Sequence, residues 1–289
     1  MEGTACAYGA ATISNAIATG KGAAFGISLK TTATVRLNRT GIISGMIQGF
    51  PGEDTRLIEL CAEKVLDRFG LSLGAQIETV SGIPIASGLK SSSTAANAVV
   101  LAAYAAAGKA RKGLRLTDKQ LLDIAVDAAL EAKVTVTGAY DDAAASFYGG
   151  YVVTDNDKRK IIKKGPMDKR LKVVLYVPKE RAYTAKVDVD RLKLVSGPAL
   201  LAWKEASCGD RYTALTANGL IYSAALGCDT RIPLAALEAG AVAAGISGKG
   251  PAVAALTKDD PGKIISAWKK FPGRIIRADI NNNKAIILE

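Results

Sequence analysis

The sequence predicts an α+β fold in two parts, residues 1–155 and 156–289, and three observations lead there. The chain has 289 residues, enough for two compact cores or for one large α/β domain. Its second half reads strand, helices, glycine-rich turn, strand, helix, strand, the order expected of helices laid on one face of an antiparallel sheet. The charge balance shifts at Asp155–Arg170, "DNDKRKIIKKGPMDKR", which marks a domain boundary or a solvated hairpin.

The alternating, β-branched stretch Thr32–Leu37 is the first strand to be read. In "TRLIELCAEKVLDRFG", Leu57, Leu60, Cys61, Val65 and Phe69 recur near helical spacing, and Gly70 supplies a C-cap. "GAQIETVSG" is strand-like and feeds "PIASGLKSSSTAAN", Pro84–Asn97. From Ser92 to Ala107 the chain is small, apolar and almost free of breakers, which predicts a tightly packed helix. Thr117 and Gln120 stand in capping-box spacing ahead of an amphipathic helix. "VTVTGAYDDAAASFYGGYVVTDN" follows as extended segment, glycine turn, short helix, double glycine and strand. Beyond the charged run, "LKVVLYVP" is a strand, and the chain to Ala239 is largely helical. "GISGKGPAVAALT" is a glycine-rich turn entering an apolar strand. "DDPGKIISAWKKF" is a helix with Pro261 in its first turn, and "GRIIRADI" and "KAIILE" are closing strands.

Composition narrows the chemistry. Hydrophobic residues make up 49% and aromatics only 6%, so the cores must be packed from Ala, Val, Ile and Leu. A formal net charge of +11 favours anionic partners. There is no histidine, which removes the usual neutral-pH proton shuttle and every Ser-His or Cys-His nucleophile. Acid–base work falls to Asp, Glu, Lys, Tyr or Cys. The four cysteines lie far apart with no CxxC pair, so they read as buried thiols in a reducing cytoplasm rather than as a zinc site. The N-terminus has no basic segment followed by an apolar block, and no apolar run approaches the ~20 residues that span a bilayer. A soluble, cytoplasmic protein without a membrane partner is expected.

Three stretches carry possible chemistry. In Pro84–Ala96, Pro84 stiffens a turn, Gly88 permits close approach or positive φ, and a helix opens near Ser92. The unpaired N–H groups of such a helix start, with the positive end of its dipole, suit phosphate oxygens. Serine hydroxyls could meet phosphate or magnesium, and Lys90 could add charge. The competing reading is an ordinary Ser/Gly turn with serine caps; no Walker A pattern is present. In the second stretch Asp141 and Asp142 are adjacent at a helix start, where one carboxylate would serve as an N-cap and two exceed that need. Glu131, eleven residues before Asp142, lies near the end of the preceding helix, where the dipole disfavours a carboxylate and a cation partner would explain it. The third stretch places Gly245, Gly248 and Gly250 before a strand, a tight backbone approach to a ligand phosphate or to a neighbouring strand.

In this order and separation the three stretches resemble the motifs of the GHMP kinase superfamily, which includes galactokinase, homoserine kinase, mevalonate kinase and phosphomevalonate kinase. The phosphate motif of that group, P-x-x-x-G-L-G-S-S-A-A, is matched by Pro84, Gly88, Leu89, Ser91 and Ser92, with Lys90 in place of the third glycine. Within the superfamily, "NAIATGKGAAFGISL", "SGLKSSSTAANAV" and "TGAYDDAAASFYGG" look most like the archaeal-type shikimate kinases. The resemblance implies a two-domain GHMP kinase fold, with an N-terminal βαβ-type nucleotide-binding domain and a C-terminal ferredoxin-like α/β sandwich. It implies ATP-dependent phosphorylation of the shikimate 3-hydroxyl, with ATP and Mg2+ as cofactors and small molecules as partners.

Carried over residue by residue, the resemblance places Pro84, Gly88, Leu89, Lys90, Ser91, Ser92 and Ser93, with Gly248 and Gly250, around the nucleotide. Ser92 and Glu131 fall on the metal ligands. Asp142, seven residues before Gly149, has the catalytic register of mevalonate kinase and galactokinase, whereas a homoserine-kinase register picks Asp141. The lysine that some members carry near the N-terminus has no counterpart before Lys21, so the mechanism leans on the Asp. Asn15 is the acceptor-site candidate. The near alternative is a kinase of homoserine or of an isoprenoid precursor. The distant one is a basic nucleic-acid-binding module. Against the latter, Lys158–Arg170 has no interleaved aromatics and reads as a solvated hairpin, so no nucleic-acid partner is expected.

Overall fold

The computed structural model describes residues 1–85, 87–135, 137–179 and 189–289. Two long strands, β1 (Glu2–Ser14) and β2 (Lys21–Asn38), form an antiparallel pair at the centre of the first sheet. β3 (Ile43–Ile47) runs parallel to β4 (Gly74–Ser81), which pairs with the second half of β2. The helices α1 (Arg56–Phe69), α2 (Ser91–Ala110), α3 (Asp118–Glu131) and α4 (Tyr140–Tyr148) fill the connections. Gly70 ends α1 in the left-handed conformation, and Thr117 and Gln120 close the capping box of α3 as their spacing predicts.

The core of this half is built from small side chains. Ala5, Ala7 and Ala10 of β1 lie against Ala98, Val99, Ala102 and Ala103 of α2, all fully buried. The approach is so close that a Cβ on Gly3 would stand 2.3 Å from the Ala102 carbonyl oxygen. β1 has a composition that propensity does not favour in strands; its alanines and glycines are there because a helix lies directly on them.

β5 (Tyr151–Asp155) pairs with the first half of β2, and β6 (Lys160–Gly165) returns along β5. The charged run is therefore an edge hairpin of the first sheet, and that sheet extends to Gly165 rather than stopping at Asp155. Charged side chains on an exposed edge discourage pairing with other chains. Several also have partners within the fold: Arg159 pairs with Asp127, Lys163 donates to the Ser207 carbonyl, and Lys164 lies over the Tyr148 ring.

The second sheet is built from β7 (Lys172–Pro178), followed by α5 (Val189–Lys193), α6 (Ser196–Cys208), α7 (Arg211–Leu226) and α8 (Arg231–Glu238). β8 (Ala243–Ile246), β9 (Val253–Thr257), α9 (Gly262–Trp268) and β10 (Gly273–Asp279) complete it. The helical expectation for residues 180–188 lies outside the described residues. The strand order is β10-β7-β9-β8, all antiparallel, the βαββαβ arrangement of a ferredoxin-like sandwich. Helices do not occupy one face alone. Val174 and Tyr176 pack on Ile232, Ile264 and Trp268 of α8 and α9, while Val173 and Leu175 face Ala214 and Leu215 of α7. The unbroken apolar run of β7 follows from burial on both faces.

The two halves share that second core. Ala11, Ile13 and Phe25 of β1 and β2 belong to the same buried cluster as Leu175, Leu215 and Leu256. Past β10 the chain crosses back, and β11 (Ile286–Ile287) pairs with β1 at Ala5 and Cys6.

Candidate active site

A cleft of about 450 Å³ opens where the start of α2 meets the start of α4 and the turn between β8 and β9. The phosphate-loop stretch forms its floor. The Ser87 hydroxyl donates to the Pro84 carbonyl, Gly88 takes φ +89°, and Leu89 is a fully buried plug in the shared core. Lys90 sits at the N-cap of α2 with φ 65° and ψ 30°, and no side chain caps the helix. Ser91, Ser92 and Ser93 of its first turn line the cleft. A 20-residue helix thus opens at the cleft with no side-chain cap, and the free N–H groups of its first turn are of the kind that suit an anion.

The conformation of Lys90 also explains the glycine for which it substitutes. A left-handed φ costs an L-residue about 1–2 kcal/mol that glycine avoids. Lys90 tolerates that strain with its side chain only 5% exposed and its Nζ 2.9 Å from Asp142 Oδ1.

The glycine-rich turn roofs the phosphate loop. Ser247 Oγ donates to the Gly88 carbonyl at 2.8 Å and accepts from the Thr12 N–H, while Gly248 N–H donates to Thr12 Oγ1. Ala252 N–H donates to the Ser87 carbonyl, and a Cβ on Gly88 would come within 2.2 Å of the Ser247 oxygen. The three glycines of the turn do different things. Gly248 lines the cleft, with φ +59°. Gly250 is buried against Ile246 and Cys228, and Gly245 lies within β8, pressed on Gly219 of α7. Gly245 thus serves helix–strand packing.

Asp141 and Asp142 occupy the first turn of α4, but the N-cap is Ala139, so neither carboxylate is the cap. Asp141 is 4% exposed and points inward: Asn156 Nδ2 donates to its Oδ1 at 2.8 Å, and the Asp141 N–H donates to Asn156 Oδ1. Burial, and next the charge of Asp142, push its carboxyl up to about 7, against the pull of Lys90 and Asn156. Both aspartates line the cleft, and Asp142 turns to Lys90. Lys249, between the glycines of the roof, also lines the cleft. Burial and then the charge of Lys90 bring its ammonium down to about 8.

Of the residues expected around a nucleotide, the structure brings Gly88, Lys90, Ser91, Ser92, Ser93 and Gly248 to the cleft wall, and Asp141 and Asp142 with them. Pro84, Leu89 and Gly250 lie behind it, shaping the loops. Glu131 is not brought there. It ends α3 on the outer surface, its side chain 48% exposed, with Lys64 Nζ at 2.6 Å and Arg56 at 3.6 Å. Its cation partner is a pair of basic side chains from α1 rather than a metal. Asn15 reaches the cleft but is occupied: its Nδ2 donates to the Gly248 carbonyl and its Oδ1 accepts from Ile17 N–H. Lys249 is the addition that the sequence reading lacked; its signal was a lone cation between two glycines of a motif already singled out. Apolar side chains from β3, α1, α2 and α3, among them Ile47, Leu57, Ile58 and Ala95, also line the cleft, together with Glu53 and Asp54.

Residues 56–150 match the family model of the GHMP kinases N-terminal domain, and residues 234–273 that of the GHMP kinases C-terminal region. A shikimate kinase of Methanosarcina mazei is 49% identical over 290 residues, spanning 99% of this chain and 97% of that protein. One of Methanothermobacter thermautotrophicus is 45% identical, spanning 97% and 96%. Among solved structures, homoserine kinase from Cytophaga hutchinsonii superposes with a TM-score of 0.77 at 20% identity, covering 99% of this chain and 97% of that one. Mevalonate kinase from Methanococcus jannaschii gives 0.75 at 16%, covering 96% and 98%. These two likenesses show a shared fold. With the near-full-length identity to the archaeal proteins added, the chain belongs to the GHMP kinases, in the family that holds the archaeal shikimate kinases.

Proposed function

We propose that this protein transfers the γ-phosphoryl group of ATP to the 3-hydroxyl of shikimate, giving ADP and shikimate 3-phosphate. One observation carries the chemistry: the uncapped N-terminus of α2 and Asp142 line the same cleft, with the Lys90 ammonium 2.9 Å from the Asp142 carboxylate. Phosphoryl transfer needs an anion held in line with an oriented hydroxyl more than it needs covalent help. The N–H groups and hydroxyls of Ser91–Ser93 supply the first requirement and Asp142 the second. The apolar side chains that line the cleft, Ile47, Leu57 and Ile58 among them, suit the base of the nucleotide.

Asp142 accepts the hydroxyl proton late, as the oxygen–phosphorus bond forms. Asp141 stays behind it, buried on Asn156, and holds the start of α4 in place. Lys249 and Lys133 are, besides Lys90, the cations lining the cleft among the described residues, and they are the candidates for the anionic groups of both substrates.

Among the described residues there is no cluster of three or more acidic or thiol side chains to hold a metal. That suits a magnesium ion which arrives on the nucleotide, since such an ion is held largely by phosphate oxygens and water with one or two protein oxygens. The Ser92 hydroxyl is the candidate; Glu131 is not. Bound there, the ion would neutralise phosphate charge.

The near-full-length identity to archaeal shikimate kinases favours shikimate over homoserine or mevalonate. ADP release measured with ATP, magnesium and each of the three acceptors tests the reading. Turnover with shikimate alone is expected, and turnover with another acceptor instead would replace the substrate but keep the chemistry.

A further inference from the structure

Lys90 presents its backbone and its side chain to different halves of the reaction. The backbone holds the left-handed conformation that begins α2. The side chain leaves the phosphate side, passes under the roof and ends beside Asp142, where only 5% of it is exposed. Space for it exists because Gly248 has no side chain: a Cβ there would stand 2.7 Å from Lys90 Nζ. The ammonium is covered, and its near partner is the carboxylate that faces the acceptor.

Building on the kinase reading, we propose that Lys90 is a positioning residue for Asp142, bringing a cation from the phosphate loop to the carboxylate at the start of α4. Three groups bear on Asp142: Lys90 from the start of α2, Asp141 beside it on α4, and Lys249 from the roof. Asp141 is a second carboxyl at the same helix start. Without Lys90, Asp142 would face it with no cation at hydrogen-bond distance among the ion pairs of the described residues. Lys249 also lines the cleft, and the carboxylate of Asp142 is ion-paired with the loop lysine, Lys90.

Lys90→Gly separates the two roles, because glycine keeps the left-handed backbone and removes only the side chain. Lys90→Met keeps the bulk and guards against a packing artefact. With wild type, each variant, Asp142→Asn and the double variants Lys90→Gly/Asp142→Asn and Lys90→Met/Asp142→Asn, the measurements are ADP affinity by calorimetry, kcat and KM. For Lys90→Gly and Lys90→Met, ADP affinity should stay within about threefold of wild type while kcat falls about 100-fold, the size of a misplaced proton acceptor. Each double variant should be no slower than Asp142→Asn alone, since the lysine acts through that carboxylate. A tenfold or greater loss of ADP affinity with kcat retained would make Lys90 a phosphate ligand and overturn the proposal. So would losses in kcat that multiply in the double variants. Should wild type release no ADP with shikimate, the substrate reading fails by itself. The same cycle read in unfolding midpoints and ADP affinity then decides Lys90: coupled midpoints with unchanged affinity support the pairing, and additive midpoints overturn it.

Discussion

Asp141 and Asp142 are neighbours in sequence with different partners at the cleft wall, one buried on Asn156 and one paired with Lys90. Asp142→Asn is expected to lower kcat by about 10²–10⁴-fold while ADP affinity is retained, a split read by steady-state kinetics and calorimetry together. For Asp141 the readout is stability. Its carboxyl rises from 3.8 to about 7 on folding, so between those values the folded state holds more protons than the unfolded state, and stability falls as pH rises through that window. Asp141→Asn removes this penalty; its melting temperature should gain on wild type more at pH 8 than at pH 5, and equal shifts at both would contradict a raised carboxyl. Lys249 titrates from the other side. With its ammonium lowered to about 8, charge is lost above that pH, so ADP should bind more weakly at pH 9 than at pH 7. In Lys249→Met that difference should flatten. At this scale the sequence displayed the Asp pair but not its division of labour, which is set by which way α4 enters the sheet. Glu131 was legible as a carboxylate wanting a cation. The identity of that cation depended on Lys64 and Arg56, 67 and 75 residues away in the chain.

Elements whose signals are local were the readable ones. The capping box of α3, the glycine stop of α1, the apolar run of β7 and the small-residue face of α2 were all visible before the fold. β1 was not, because its alanines and glycines answer to the helix packed on them rather than to strand propensity. The double glycine after α4 is similar: Gly149 and Gly150 take φ +69° and +63° where the segment around Asn282 and Asn283 and the end of β6 cross them. At the site, Gly88 is the element-scale hinge between loop and roof. Gly88→Ala would meet the Ser247 oxygen and bear a positive φ, and should destabilise the protein by about 2 kcal/mol or more. Chemical denaturation gives the magnitude. Loss of ADP affinity should accompany it, because the clash displaces the loop that starts α2.

Across the whole molecule, the expectation of a two-domain architecture is met, and the charged run that follows residue 155 forms the β5–β6 hairpin of the first sheet. The parts share a core in which Phe25 and Leu175 take part together, so they should unfold as one. The two tryptophans report on different regions, Trp203 beside the shared core and Trp268 beneath the outer face of the second sheet. Denaturation followed by fluorescence in Trp203→Phe and in Trp268→Phe should give coincident midpoints once each variant's stability is taken from far-UV circular dichroism. Separate transitions would mean that the halves are independent.

Residues 1–165 contain the serine helix start, Lys90 and both aspartates, and by inventory could pass for a portable nucleotide-binding module. The stitching around Ser247 says otherwise. Cut from the rest, the Gly88 and Ser87 carbonyls would lose the donors from Ser247 and Ala252, and Thr12 its exchange with the roof. The excised piece would carry two of the three motifs and no formed site. In this fold the unit that recombination could move intact is the entire pair of sheets.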